Sequence, residues 1–288
     1  MFNKPIWRII LVSFTWLISI GGVVALMSFI EIKKADMVCK DVKIYIPGSQ
    51  YFIDKKEVEH ILQLNSFTLV GRKMNNINLH ELENRLRANP FIEYAKVYAD
   101  MDGVIMMEIE QRQPIMRIMT QFEKDFYIDK NGLKLPLSPN FTARVLAANG
   151  FIEEPFGGKV DTLRTPLAKD LFKTMAYITG DSLWSAQIAQ VYVNQNREIE
   201  LIPRVGNQKI LLGNADSIEI KFKNLLAFYK HALPQVGWDA YKQINIKYAN
   251  QVIGVKFTKA DSLRMKAQKI TADSLKKVIA QDTSLIKH

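Results

Sequence analysis

Residues 9–30, IILVSFTWLISIGGVVALMSFI, form a run of 22 residues without one charged side chain. At about 1.5 Å per helical residue such a run reaches about 33 Å, enough to cross a hydrocarbon core of about 30 Å. Thirteen of its residues are Leu, Ile, Val or Phe. At about −0.3 to −0.6 kcal/mol each near the bilayer centre, they favour insertion by about 4–8 kcal/mol before the small polar residues subtract. No second run of this kind follows. A cleaved signal peptide has a shorter apolar core, about 7–15 residues, and a small-x-small cleavage site, neither of which is found here. Asp36, Met37 and Val38 before Cys39 do not form a lipoprotein site. The run therefore reads as an uncleaved signal anchor, a single transmembrane helix preceded by a short tail, 1–8. Charge leaves its direction open: Lys4 and Arg8 precede it, while Lys33, Lys34, Lys40 and Lys43 follow, and a long downstream domain translocates largely regardless of charge.

The remaining 258 residues suffice for one or two domains with their own cores. A single cysteine, Cys39, excludes an internal disulfide framework. The net charge is +10, but the excess is spread over mixed-charge segments. A nucleic-acid binder would concentrate it on one face, interleaved with aromatics.

Val42 to Ile46 alternates as a strand and ends at Pro47-Gly48. Asp54 is placed to cap a helix through Val58, Ile61 and Leu62, with Glu57 at the capping-box position. Asn78 opens a second helix carrying Leu79, Leu82 and Leu86, which stops before Asn89-Pro90. Ala95 to Asp100 and Val104 to Glu110 form two strands around the Asp102-Gly103 turn, with Ile105, Met107 and Ile109 on one face. The order is β-α-α-β-β.

Beyond it, Asn131-Gly132 signals a hairpin. Thr165-Pro166 starts a helix with Leu167, Leu171, Met175 and Ile178 on one stripe. Strands are expected over Ile188–Val193, Glu198–Ile202 and Lys209–Leu212, and a helix over Ile218–His231. Two closing strands are expected over Ile244–Tyr248 and Val252–Phe257, the last an edge. The fold class is α+β: a small β-α-α-β-β domain over 40–111, then a larger domain over 112–258 with an antiparallel sheet and flanking helices. Residues 259–288 repeat Ala-Asp-Ser-Leu at Ala260 and Ala272, lack aromatics, and read as a charged, flexible tail.

The small module behind a signal anchor resembles a POTRA domain. Gln111-Arg112-Gln113-Pro114 resembles the Arg-x-Pro junction that follows this domain in the FtsQ/DivIB family of bacterial cell-division proteins. Tyr127-Ile128-Asp129 with Asn131-Gly132 resembles that family's Tyr-Ile-Asp-x-x-Gly hairpin, and Leu135-Pro136 follows in place. Asn245-Ile246-Lys247-Tyr248-Ala249-Asn250 resembles its late Asp-Leu-Arg-Tyr-x-Asn strand, with Asn245 for Asp, Lys247 for Arg and Gln251 for Gly. The resemblance implies a cytoplasmic N-terminus, an extracytoplasmic bulk in the inner or plasma membrane, and a place at the division septum. It also implies partners: the membrane-anchored coiled-coil proteins FtsB and FtsL, and septal peptidoglycan synthases. They would be received by strand addition around Lys247, Tyr248, Asn250, Gln251 and Val252.

Catalytic chemistry has no anchor in the sequence. His80-Glu81-Leu82-Glu83 lacks the second histidine of a zinc helix. Gly157-Gly158-Lys159 lacks both the spacing and the hydroxyl of a phosphate loop, and no Gly-x-Ser-x-Gly elbow occurs. No enzyme activity, cofactor or metal is therefore expected. A wall hydrolase or transpeptidase would need a clustered nucleophile or metal. The alternative is a POTRA-type chaperone of outer-membrane protein assembly, which usually carries tandem modules or a barrel of its own.

Overall fold

The computed structural model describes residues 4–35, 37–48, 52–63, 66–120, 124–258 and 261. The expected flexible tail over 259–288 lies outside them, Asp261 apart. Helix α1 (Lys4–Ala35) carries the apolar run. Among the described residues no helix is long and apolar enough to cross a membrane. Of the uncharged run, side chains are described for 11–26 only, and all of these are exposed.

The chain divides into two compact units. The first comprises residues up to Gln113 together with Ser138–Phe141. It contains β1 (Asp41–Tyr45), α2 (Lys55–Leu62), the single turn α3 (Ser66–Leu69), α4 (Leu79–Arg87), β2 (Ile92–Ala99) and β3 (Val104–Gln111). Asp54 caps α2 by accepting the Glu57 N–H at 2.8 Å, and Asn78 caps α4 by accepting the Glu81 N–H at 3.0 Å. The sheet runs β1-β3-β2, with β1 parallel and β2 antiparallel to the central β3. Ile105, Met107 and Ile109 of β3 are buried, as are Val58, Leu62, Leu82 and Leu86 of the helices, and α4 packs on both β2 and α2. Phe52 stacks on Phe91 at 4.9 Å and meets Phe141 edge-on at 5.0 Å.

The second unit holds a ten-stranded sheet. Its elements are β4 (Pro114–Ile118), β5 (Phe126–Asp129), β6 (Leu133–Leu135), β7 (Leu146–Gly150), β8 (Asp161–Thr162), α5 (Pro166–Gly180) and α6 (Ser182–Gln187). They continue with β9 (Ile188–Val193), β10 (Ile199–Pro203), β11 (Lys209–Gly213), α7 (Ile218–His231), α8 (Leu233–Val236), β12 (Tyr241–Asn245) and β13 (Ile253–Lys256). The strand order is β13-β12-β11-β10-β9-β7-β4-β5-β6-β8.

The expected antiparallel sheet is corrected to a mixed one: β4 with β7, β7 with β9, and β11 with β12 are parallel. Parallel neighbours need a crossover of a dozen residues or more. The chain supplies one through α5 and α6 between β7 and β9, and another through α7 and α8 between β11 and β12.

The core lies between this sheet and its helices. Leu171, Met175 and Ile178 of α5 and Phe222, Leu225 and Tyr229 of α7 pack with Ile118, Val191, Leu201, Ile210 and Ile244. Thr165 caps α5 by accepting the Ala168 N–H, with Pro166 in the first turn. The β5–β6 turn is held by the buried Asp129, whose carboxylate accepts the Asn131 and Leu133 N–H groups at 2.9 and 2.8 Å. Gly132 supplies the left-handed residue the turn needs, at φ +77°.

Candidate functional site

The last strand pair ends the ten-stranded order. β12 is bound to β11 on one side, and β13 lies outside it, antiparallel, with Ile244 opposite Gly254 and Asn245 opposite Ile253. Among the described residues no strand pairs with the outer side of β13. Ile253 and Val255 are exposed there.

Lys247, Tyr248, Asn250, Gln251 and Val252, expected to lie in or beside closing strands Ile244–Tyr248 and Val252–Phe257, instead occupy the connection between β12 and β13. The reason is local. The Ile246 N–H still extends the ladder to the Leu211 carbonyl, but the Asn245 side chain accepts the Lys247 N–H at 2.9 Å and takes it from any neighbouring strand. The Gln251 N–H donates to the Tyr248 carbonyl and closes a turn. Asn224 on α7 donates to the Ala249 carbonyl at 2.6 Å, pinning the middle of the connection. Tyr248 is 51% exposed, Asn250 and Gln251 are exposed, and Val252 packs half-buried against the core.

Lys247 is held in place rather than waving in solvent. Its ammonium meets Glu198 at 2.5 Å and lies 5.8 Å from the Tyr248 ring centroid. Gly213 makes room for its stem: a Cβ there would come within 2.8 Å of Lys247 Cγ. The hydrogen bond from Lys247 holds the Glu198 carboxyl below its ordinary range, against a smaller opposing push from burial and with help from Asn194. The same bond raises the Lys247 ammonium.

Beside the connection opens a cleft of about 510 Å³, bordered by Asp216, Ser217, Tyr248, Asn250 and Gln251. Its floor includes Lys221, 2% exposed, whose ammonium donates to the Leu212 and Asn214 carbonyls and to Asn214 Oδ1 at 2.9–3.2 Å. Burial pulls this amine below its ordinary range.

Sequence reasoning missed Lys221, and also Lys134, whose ammonium is fully buried with Glu154 at 2.8 Å. Glu154 accepts further bonds from the Arg164 and Thr165 N–H groups and the Thr165 hydroxyl. Burial pushes its carboxyl up, but these bonds prevail and hold it low. Both lysines sit beside apolar residues in sequence, the one available signal, and lysine is seldom buried unless paired. Among the described residues no group of three His, Cys, Asp or Glu is placed to hold a metal.

The architecture is thus a small three-stranded sheet with helices, then a ten-stranded mixed sheet whose terminal strand β13 has no strand on its outer side among the described residues. Two family models match the chain: a POTRA-like domain over residues 37–110, and the FtsQ/DivIB, C-terminal related domain over residues 113–255. No curated protein matches it significantly. The chain belongs to the FtsQ/DivIB family. These are non-catalytic scaffold families, which makes the protein a scaffold of cell division with divisome partners.

Proposed function

We propose that the chain is a membrane-anchored scaffold of the divisome that receives FtsB- and FtsL-like coiled-coil partners by strand addition along β13. The carrying observation is the outer side of this strand, with which no strand pairs among the described residues, in the domain that matches the family and next to the exposed Tyr248. A strand end presents N–H and C=O groups that an extended segment can pair, while flanking side chains select which segment. Ile253, Val255 and Tyr248 supply the flanking apolar and aromatic contacts. Lys247 plays a second part in this reading. Already paired to Glu198, it fixes the Tyr248 connection, so its charge acts on the partner as part of an ion pair. Residues 9–30 anchor the chain in the inner membrane at the septum, with the N-terminus in the cytoplasm. The apolar side chains at 11–26, exposed on the helix surface, support this.

Tyr248→Ala tests the site. Aromatic anchors at interface centres are worth about 2 kcal/mol or more, so partner capture should fall about 30-fold. Denaturant unfolding should move by less than about 1 kcal/mol, as for a half-exposed side chain. Unchanged recovery of the coiled-coil partners from cells would remove the β13 end from the mechanism. An amino-terminal fluorescent fusion should give a mid-cell band; an even peripheral ring would count against the divisome reading.

A further inference from the structure

The small sheet also has a strand at its border, β2, and its outer side is treated quite differently. In an extended strand the N–H and C=O of one residue point to the same side, and successive residues alternate. The Val97 N–H donates to Glu83 Oε2 at 3.1 Å, and the Ala95 carbonyl accepts from Arg87 Nε at 3.1 Å. Residues 95 and 97 therefore face outward, away from β3. Glu83 and Arg87 are one helical turn apart on α4 and are themselves paired at 2.9 Å. One offers an acceptor and the other a donor, spaced like the carbonyl and amide of a strand neighbour. Arg87 also lies 5.7 Å from the Tyr94 ring centroid, which fixes its guanidinium over the border. Glu83 is mostly buried, with 16% of its side chain exposed.

We propose that the Glu83–Arg87 pair is a plug that closes β2 against strand pairing with a second copy of this chain. The occupant follows from the border itself. Outward groups at 95 and 97 are symmetric about Lys96, so two copies related by a two-fold axis would bond 95 to 97′ and 97 to 95′ as an antiparallel pair. The plug takes one donor and one acceptor of that set. Lys96, exposed at the centre, would meet its own copy and adds like-charge repulsion to the block. This inference is independent of the reading of β13.

The test is disulfide trapping in the full chain, purified in detergent. Lys96→Cys places a thiol on the two-fold axis and removes the repulsion. Native Cys39 is 1% exposed and stays out of the reaction. With the plug intact, mild oxidation should trap little dimer. With Lys96→Cys combined with Glu83→Ala and Arg87→Met, it should trap at least ten times more. Glu83→Gln in the Lys96→Cys background keeps an acceptor for the Val97 N–H and should remain closed. Circular dichroism and thermal unfolding of each variant confirm a folded small domain, and Arg87→Met alone serves if the triple variant does not fold. Equal trapping with and without the plug overturns the proposal, as does no trapping in a folded plug-free variant.

Discussion

Two strands at sheet borders, β2 in the first unit and β13 in the second, answer the same physical problem in opposite ways. Each has one side unpaired by any strand among the described residues. β2 is eight residues long, and side chains of α4 reach over to bond its outward groups. β13 is four residues long, and no hydrogen bond among the described residues reaches its outer side. Long borders attract unwanted strands and are usually blunted by charge or cover. A short border left bare, with Ile253 and Val255 exposed, makes sense where a partner is wanted. Under the two proposals, pairing capacity is allocated: blocked on the eight-residue β2 and offered on the four-residue β13.

The far end of the second sheet shows how to separate partner binding from stability. β8 has two residues, and the neighbouring β6 carries Lys134. Replacing Lys134 with Met leaves Glu154 buried without its cation, and breaking a buried pair costs about 3–5 kcal/mol. This is the largest expected effect, read by denaturant unfolding. Adding Glu154→Leu should recover only part, because the Arg164 and Thr165 N–H groups then lose their acceptor. If the weakened but still folded Lys134→Met protein captures partners normally, the two ends of the sheet are energetically separate. Loss of capture in step with loss of fold would merge them.

Proline substitution along β13 is the next largest probe. N–H groups alternate sides. The Phe257 N–H donates inward to the Ala240 carbonyl and Val255 lies opposite Gln243, so the Val255 N–H faces β12 and the Lys256 N–H points outward. Gly254 is unsuited, because a Cβ there would come within 2.5 Å of the Tyr241 ring. Proline at the inward position removes a ladder bond and leaves its acceptor on β12 unpaired, which should cost about 1–3 kcal/mol. At the outward position it should leave unfolding within about 1 kcal/mol. Both should abolish partner capture if an added strand uses these groups. Capture that survives the outward proline would show that β13 is bare for another reason.

Much of the first unit is legible without coordinates, because its signals are local. The alternation at Ile105, Met107 and Ile109, and the caps Asp54 and Asn78, each act within a few residues. The helix Ile218–His231 is legible for the same reason. The parallel pairing of Leu211 with Asn245 is not, since those residues lie far apart in the chain and nothing local encodes their register. The bounds of the closing strands differ from expectation for a related reason. Ile246 and Tyr248 alternate as a strand would, yet the Asn245 side chain ends the strand by taking the next amide, and Tyr248 is left in the open. The β2 plug gave no signal either. Glu83 and Arg87 stand four apart, a spacing common to helix ion pairs, and only the fold brings Val97 and Ala95 against them.

The smallest expected effect separates the part played by charge from that played by backbone. Glu198 and Lys247 are partly exposed, so solvent screens their pair and its contribution is small. Because Glu198 is held below its ordinary value of 4.5, the pair's contribution is fully present above that value and is lost as pH falls through the lower folded one. Capture should therefore be flat from pH 8 to pH 5 and decline only in more acidic buffer. Lys247→Met should remove that acidic decline. Lys247→Glu, facing Glu198, should weaken capture more at low salt than at high salt, because exposed charges are screened over about 10 Å at 0.1 M. The swap Glu198→Lys with Lys247→Glu should restore much of the loss if the pair acts by fixing the Tyr248 connection. If the swap fails while each variant stays folded, Lys247 instead meets a partner carboxylate directly, and β13 selects its partner by charge as well as by backbone.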